Sequence, residues 1–194
     1  MEKQLDDLKA IRSMMEKSSK FLSLSGLSGV LAGITAIIGA AFAYYYILDY
    51  NKENENFLII LDATIVLLIS IGFGLYFSQK KAKKNNQKLF SKVTMLTLYN
   101  LSIPLIVGAI LSAIFIFRGE IGIVASITLI FYGLALVNAS KFTFEEIHYL
   151  GITEIILGIG AAIFLYNGII FWTIGFGVCH IIYGLIMYKK YDLK

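Results

Sequence analysis

VTMLTLYNLSIPLIVGAILSAIFIF (93–117), RGE (118–120) and IGIVASITLIFYGLALVNA (121–139) decide the architecture: two apolar runs joined by three residues. Crossing a bilayer takes about 20 largely apolar residues at 1.5 Å rise each, and each run has that length. Arg118, Gly119 and Glu120 leave room only for a tight turn. The two helices are therefore expected to lie side by side and antiparallel.

The same pattern recurs on either side. Six spans are read, at 21–48, 57–78, 93–117, 121–139, 149–167 and 169–188, the last two separated only by Asn167 and Gly168. The expected fold class is all-α: a polytopic membrane protein with six transmembrane helices as three tandem in-out-in hairpins. Composition agrees. The 194 residues are 58% hydrophobic and 15% charged, against about 25% charged in an ordinary soluble domain, and the mean hydropathy is +0.76.

Charge fixes the expected direction. Lys3, Lys9, Arg12, Lys17 and Lys20 precede the first span, and Lys80, Lys81, Lys83, Lys84, Lys88 and Lys92 follow the second. Lys141 follows the fourth, and Lys189, Lys190 and Lys194 follow the sixth. Of the 17 Lys and Arg, only Lys52 and Arg118 fall on the other side. Basic residues concentrate in cytoplasmic loops, so both termini are expected in the cytoplasm. This placement also explains the net charge of +4 without nucleic acid as a partner; the lipid bilayer is the partner expected. Aromatic residues fit the frame, with Tyr44, Tyr45, Tyr46, Tyr166 and Trp172 at the outer interface and Tyr76, Phe77, Tyr149, Tyr188 and Tyr191 at the inner one. Arginine occurs only at Arg12 and Arg118 while Ile, Lys and Asn are abundant, which suggests an AT-rich bacterial genome and the inner membrane.

Ala41-Phe42-Ala43 has the small-x-small form of a signal-peptide cleavage site. The apolar run before it is longer than an h-region of about 7–15 residues, so the first span is expected to be retained. Before that span, Leu8, Ile11, Met15 and Leu22 mark an apolar stripe between charges. Residues 1–20 are read as an interfacial helix on anionic lipid, with dimerisation through the stripe as the other reading. Residues 189–194 form a short tail.

The hairpins also resemble one another. Phe73-Gly74-Leu75, Tyr132-Gly133-Leu134 and Tyr183-Gly184-Leu185 lie near the same end of the even spans. Residues 101–121 align without gaps on 150–170, sharing Ala113-Ile114-Phe115 with Ala162-Ile163-Phe164 and Gly119 with Gly168. Three parallel two-helix repeats are expected, related by an axis along the membrane normal. Ser25, Gly29 and Gly33 share one helical face, as do Ser70 and Gly74. Such small-residue faces let helices approach closely, within the bundle or in a homo-oligomer or membrane partner.

Phe21-Leu22-Ser23-Leu24-Ser25-Gly26-Leu27-Ser28-Gly29 and the 131–141 string FYGLALVNASK resemble a family of small, uncharacterised six-span bacterial membrane proteins. The resemblance runs over most of the chain and implies no activity. More loosely, the glycine-punctuated hairpins are similar to the repeated membrane unit of the acid-resistance HdeD-type family, although this chain has a single proline, Pro104.

The polar residues inside the spans carry what functional signal there is. An ionisable group at the centre of a span costs roughly 2.5–3.5 kcal/mol on insertion scales and is a functional-site hypothesis by default. Asp62, Glu154 and His180 qualify. Asp62 is five residues into its span and within reach of interfacial water. Thr143-Phe144-Glu145-Glu146 reads as a capping box with Thr143 as N-cap. Glu154 then lies about 7 Å beyond Tyr149, and His180 about 12 Å before Tyr188. These depths allow the two to meet on antiparallel helices, with Asn100 and Tyr99 of the third span at comparable height. An imidazole and a carboxylate together either fix helix register as a buried polar clasp or hold a proton or solute.

Enzyme signatures are absent: no HExxH, no GxSxG and no phosphate loop. With His148 and His180 as the only histidines and Cys179 the only cysteine, neither a bis-His haem nor a cysteine-based metal site is expected, and no cofactor is. Glu145 and Glu146 are ordinary helix-start acids. Two function classes follow. One is a non-catalytic accessory, sensory or stress-related membrane component. The other is a small proton-coupled transporter or channel with Glu154 and His180 between the last hairpin and the third span.

Overall fold

The computed structural model describes residues 23–48, 55–85 and 89–193. The interfacial helix expected over 1–20 lies outside them, as do Lys52, Lys88 and Lys194. The described residues are all-α, and six helices are long and apolar enough to cross a membrane. The protein is a multi-pass membrane protein.

Helix α1 spans Gly26–Phe42 and continues as a π-helical turn, Ala43–Leu48. Helix α2 spans Glu55–Lys84, α3 Lys92–Phe117, α4 Val124–Ala139 and α5 Glu145–Ile163. Helix α6 is composite. It runs through Gly168–Trp172, a π-helical stretch Thr173–Cys179, the α-helical His180–Met187 and a second π turn, Tyr188–Asp192.

Local chemistry sets the ends. Ser91 begins α3 with a capping box: its Oγ accepts from Thr94 N at 3.1 Å, and Thr94 Oγ1 accepts from Ser91 N at 3.4 Å. After Phe117, Gly119 takes a φ of +80°, which an L side chain resists. Gly119 N donates to Ile116 O and Glu120 N to Phe115 O, the pairing of a Schellman motif. The α3–α4 turn thus closes in the three residues that the sequence left for it. At α5 the cap differs from expectation. The helix starts at Glu145 with extended Phe144 as N-cap and no side-chain cap bond. Thr143, expected as N-cap, sits one residue too early, because the short 3₁₀ turn Ser140–Phe142 takes up the chain before it.

Each hairpin packs internally, and the hairpins join through α1·α6 and α4·α5. Both joints use glycine. A Cβ on Gly133 would meet Gly151 O at 2.5 Å, and one on Gly151 would meet Gly133 O at 2.8 Å. Likewise Gly184 would meet Gly26 O at 2.8 Å, and Gly29 would meet Gly184 Cα at 3.3 Å. The Ser25, Gly29, Gly33 face is therefore occupied by α6 of the same chain, since Gly33 approaches Gly177 and Ile181 and Ser25 Oγ donates to Asp192. Close backbone approach supplies the dispersion contact that drives helix association in lipid. On the outer flank α2 has no buried residue in its apolar window, and Gly72 and Gly74 face open space. At the lysine-rich end, Leu136, Phe144, Ile147, Leu150 and Met187 form a buried apolar cluster.

Candidate functional site

Helix α5 buries Ile147, Leu150, Gly151, Glu154, Gly158 and Ala161. Their spacings of three, four and seven residues define one helical face, so Glu154 points inward with the small and aliphatic residues. It is 0% exposed. Among the described residues neither of its carboxylate oxygens has a hydrogen-bond partner. Its room comes from α6, where a Cβ on Gly175 would collide with Glu154 Oε2 and Leu129 Cδ2.

His180 approaches from α6 at the junction where the π stretch ends and the α-helix resumes. Its Nδ1 is 3.4 Å from Glu154 Oε1 and 3.0 Å from Gly175 O. A backbone carbonyl only accepts, so Nδ1 carries the proton and donates to Gly175 O, while Glu154 Oε1 lies close by without a hydrogen bond to it. On the other side of the ring, Nε2 is 2.7 Å from Tyr132 Oη on α4. In the neutral imidazole Tyr132 donates to Nε2; in the imidazolium Nε2 donates to Tyr132. His180 is also packed against Phe176, their rings near parallel with centroids 5.9 Å apart, and Tyr132 lies over Phe176 at 4.9 Å. The result is a Tyr132–His180–Glu154 chain linking α4, α6 and α5 in an apolar, aromatic surround.

The sequence brought Glu154 and His180 to one height; the fold sets them 3.4 Å apart. Asn100 and Tyr99 are placed elsewhere. Tyr99 is 64% exposed on the outer face of α3. Asn100 meets Asn138 of α4, whose Nδ2 donates to Asn100 O at 3.0 Å. The cause is packing order: α3 lies against α4, and it is α4, not α3, that lies against the last hairpin. Tyr132 is the partner that sequence reasoning missed. Its signal was present in Tyr132-Gly133-Leu134, where the glycine beside it marks a tight helix crossing.

The second candidate, Asp62, is half-buried on α2 and faces α1 at Gly39, where a Cβ would stand 3.6 Å from its Oδ2. At the lysine-rich end Glu146 joins α5 to α6: it accepts from Lys190 Nζ at 2.6 Å and from Tyr191 Oη at 3.1 Å. His148 lies with its Nδ1 3.4 Å from Ser140 Oγ.

No family model, curated protein or solved structure matches the chain.

Proposed function

We propose that the protein is a non-catalytic component of a bacterial inner membrane, of the accessory or sensory kind, in which Tyr132, His180 and Glu154 form a proton-holding clasp between three helices. Both termini lie in the cytoplasm in this reading, which the lysine distribution supports. The observation that carries it is the 0% exposure of Glu154 with His180 Nδ1 3.4 Å from its Oε1. An uncompensated charge in such a place costs several kcal/mol, so the pair is held neutral overall by one proton, carried either by the carboxyl beside a neutral imidazole or by the imidazole facing a carboxylate. Gain or loss of that proton changes the strength of a contact that ties α4, α5 and α6 together, which is what a sensory element needs.

The hairpins act as three related units in this reading. Gly133 of Tyr132-Gly133-Leu134 crosses Gly151, and Gly184 of Tyr183-Gly184-Leu185 crosses Gly29; these similar crossings support the repeat.

A proton-coupled transporter or channel is the second reading, favoured by the π-helical stretch Thr173–Cys179 beside the pair, since π-bulges often mark functional sites. Proton and cation flux in proteoliposomes separates the two, with wild type compared against Glu154→Gln and His180→Ala. The clasp reading expects no flux under an imposed gradient and a lower melting temperature in detergent for both variants. Flux in the wild type that both variants abolish replaces it with transport.

A further inference from the structure

We propose that the last turn of α6, Tyr188–Asp192, is a latch that closes the route from the lysine-rich end of the bundle to the Glu154–His180 pair, and that the Lys81–Asp192 contact is its release point. The inference deepens the clasp reading and rests on it, because it supplies the path by which that pair exchanges protons with water.

Asp192 is held by two other helices. Its Oδ2 accepts from Ser25 Oγ at 2.8 Å and from Gly26 N at 2.9 Å. It thereby caps the start of α1, where the free N–H groups of a helix favour an anion. Its Oδ1 is 2.6 Å from Lys81 Nζ of α2. The ammonium also donates to Leu24 O at 2.8 Å and faces the rings of Phe144 and Tyr191 at 5.1 and 5.9 Å. Both charged side chains are about nine-tenths buried, at 10% and 9% exposure. Breaking such a contact releases two desolvated charges to water, which lowers the cost of opening relative to an apolar seam.

The contact sits over a plug. Tyr191 stacks on Phe144 with ring centroids 4.1 Å apart. Phe144 and Met187 belong to the buried apolar cluster of that end, against which Cys179 packs. Cys179 immediately precedes His180. From Asp192 to His180 the helix climbs about 18 Å at 1.5 Å per residue, so latch, plug and site are stacked along one helix. With Asp192 off Lys81 and the start of α1, the turn loses its hold on α1 and α2 and keeps the Lys190 and Tyr191 bonds to Glu146 of α5; when it pivots about Glu146, Tyr191 leaves Phe144 and the plug faces water.

Cys179 is the only cysteine and reports on the plug directly. Its labelling by a water-soluble maleimide is measured on the purified full chain in liposomes. Lys81→Met and Asp192→Asn are expected to raise the labelling rate about tenfold or more over wild type. Ser91→Ala, which loosens the start of α3 away from the latch, serves as the control for general destabilisation. Labelling at the wild-type rate in both latch variants overturns the proposal, as does an equal acceleration in Ser91→Ala. The clasp reading fails separately: if infrared difference spectra on a pH step show no carboxyl signal that Glu154→Gln removes, the proton site is lost while the labelling result still decides the latch.

Discussion

Glu154 Oε1 lies 3.4 Å from His180 Nδ1, while the carbonyl oxygen of Gly175 lies nearer to the same nitrogen at 3.0 Å. The N–H therefore bonds the neutral carbonyl, and the carboxylate, which has no hydrogen-bond donor among the described residues, has the imidazole only as an ionic neighbour. The carboxylate depends on the imidazole far more than the imidazole depends on it.

That asymmetry is measurable by a double-mutant cycle on melting in detergent. His180→Ala is expected to cost about 3–5 kcal/mol, because it strands a buried carboxyl without its partner. Glu154→Gln should cost less. The double variant should be more stable than the sum implies, with a coupling of about 1–3 kcal/mol. Additivity within about 0.5 kcal/mol would show that the two side chains do not interact.

Gly175→Ala tests how the carboxyl is accommodated. The new Cβ collides with Glu154 Oε2 and Leu129 Cδ2, so the variant is expected to lose about 1–3 kcal/mol by overpacking. Glu154→Ala in the same background should restore part of that loss, because it removes one of the colliding groups. No restoration would argue against this placement of the carboxyl.

Tyr132→Phe removes the hydroxyl 2.7 Å from His180 Nε2 and keeps the ring over Phe176. The expected cost is about 1 kcal/mol, read from thermal melts. In infrared difference spectra the carboxyl signal on a pH step should move, since the far end of the chain has lost its partner.

Two glycines in equivalent tripeptides should respond in opposite ways. Gly133→Ala drives a methyl group to 2.5 Å from Gly151 O and should separate α4 from α5 at a cost of about 1–3 kcal/mol. Gly74→Ala meets nothing within 4 Å and should be neutral or stabilising by up to about 1 kcal/mol through helix propensity. Comparable losses in both would refute the packing order.

Ser91→Ala removes the acceptor for Thr94 N and is expected to cost about 1 kcal/mol. Hydrogen exchange should rise in the first turn of α3 and nowhere in α5. Unchanged protection there would show that the capping box is not formed.

The existence and number of helices were legible because each span is a long apolar run bounded by charge or by a short turn. Arg118-Gly119-Glu120 even carried the residue needed for the left-handed position of the turn. The heights of Glu154 and His180 were legible too, because rise per residue is constant in a helix. Neighbour choice was not. Tyr99 and Asn100 stood at the right height on the wrong helix, since apolar runs of similar composition do not say which helix packs on which. The small-residue face of α1 showed that something would pack closely there without showing that it would be α6.

A polytopic all-α chain, six spans with their charge asymmetry, and three ionisable groups at apolar depth can all be read from the order of residues. These follow from local properties: run length, turn length and residue polarity. The tertiary structure alone decided that Tyr132 completes the chain with His180, that Gly175 makes room for Glu154, and that Asp192 returns to cap α1. Those contacts join residues up to 167 positions apart, and they form only where glycine lets two particular backbones come close enough for side chains from three helices to meet.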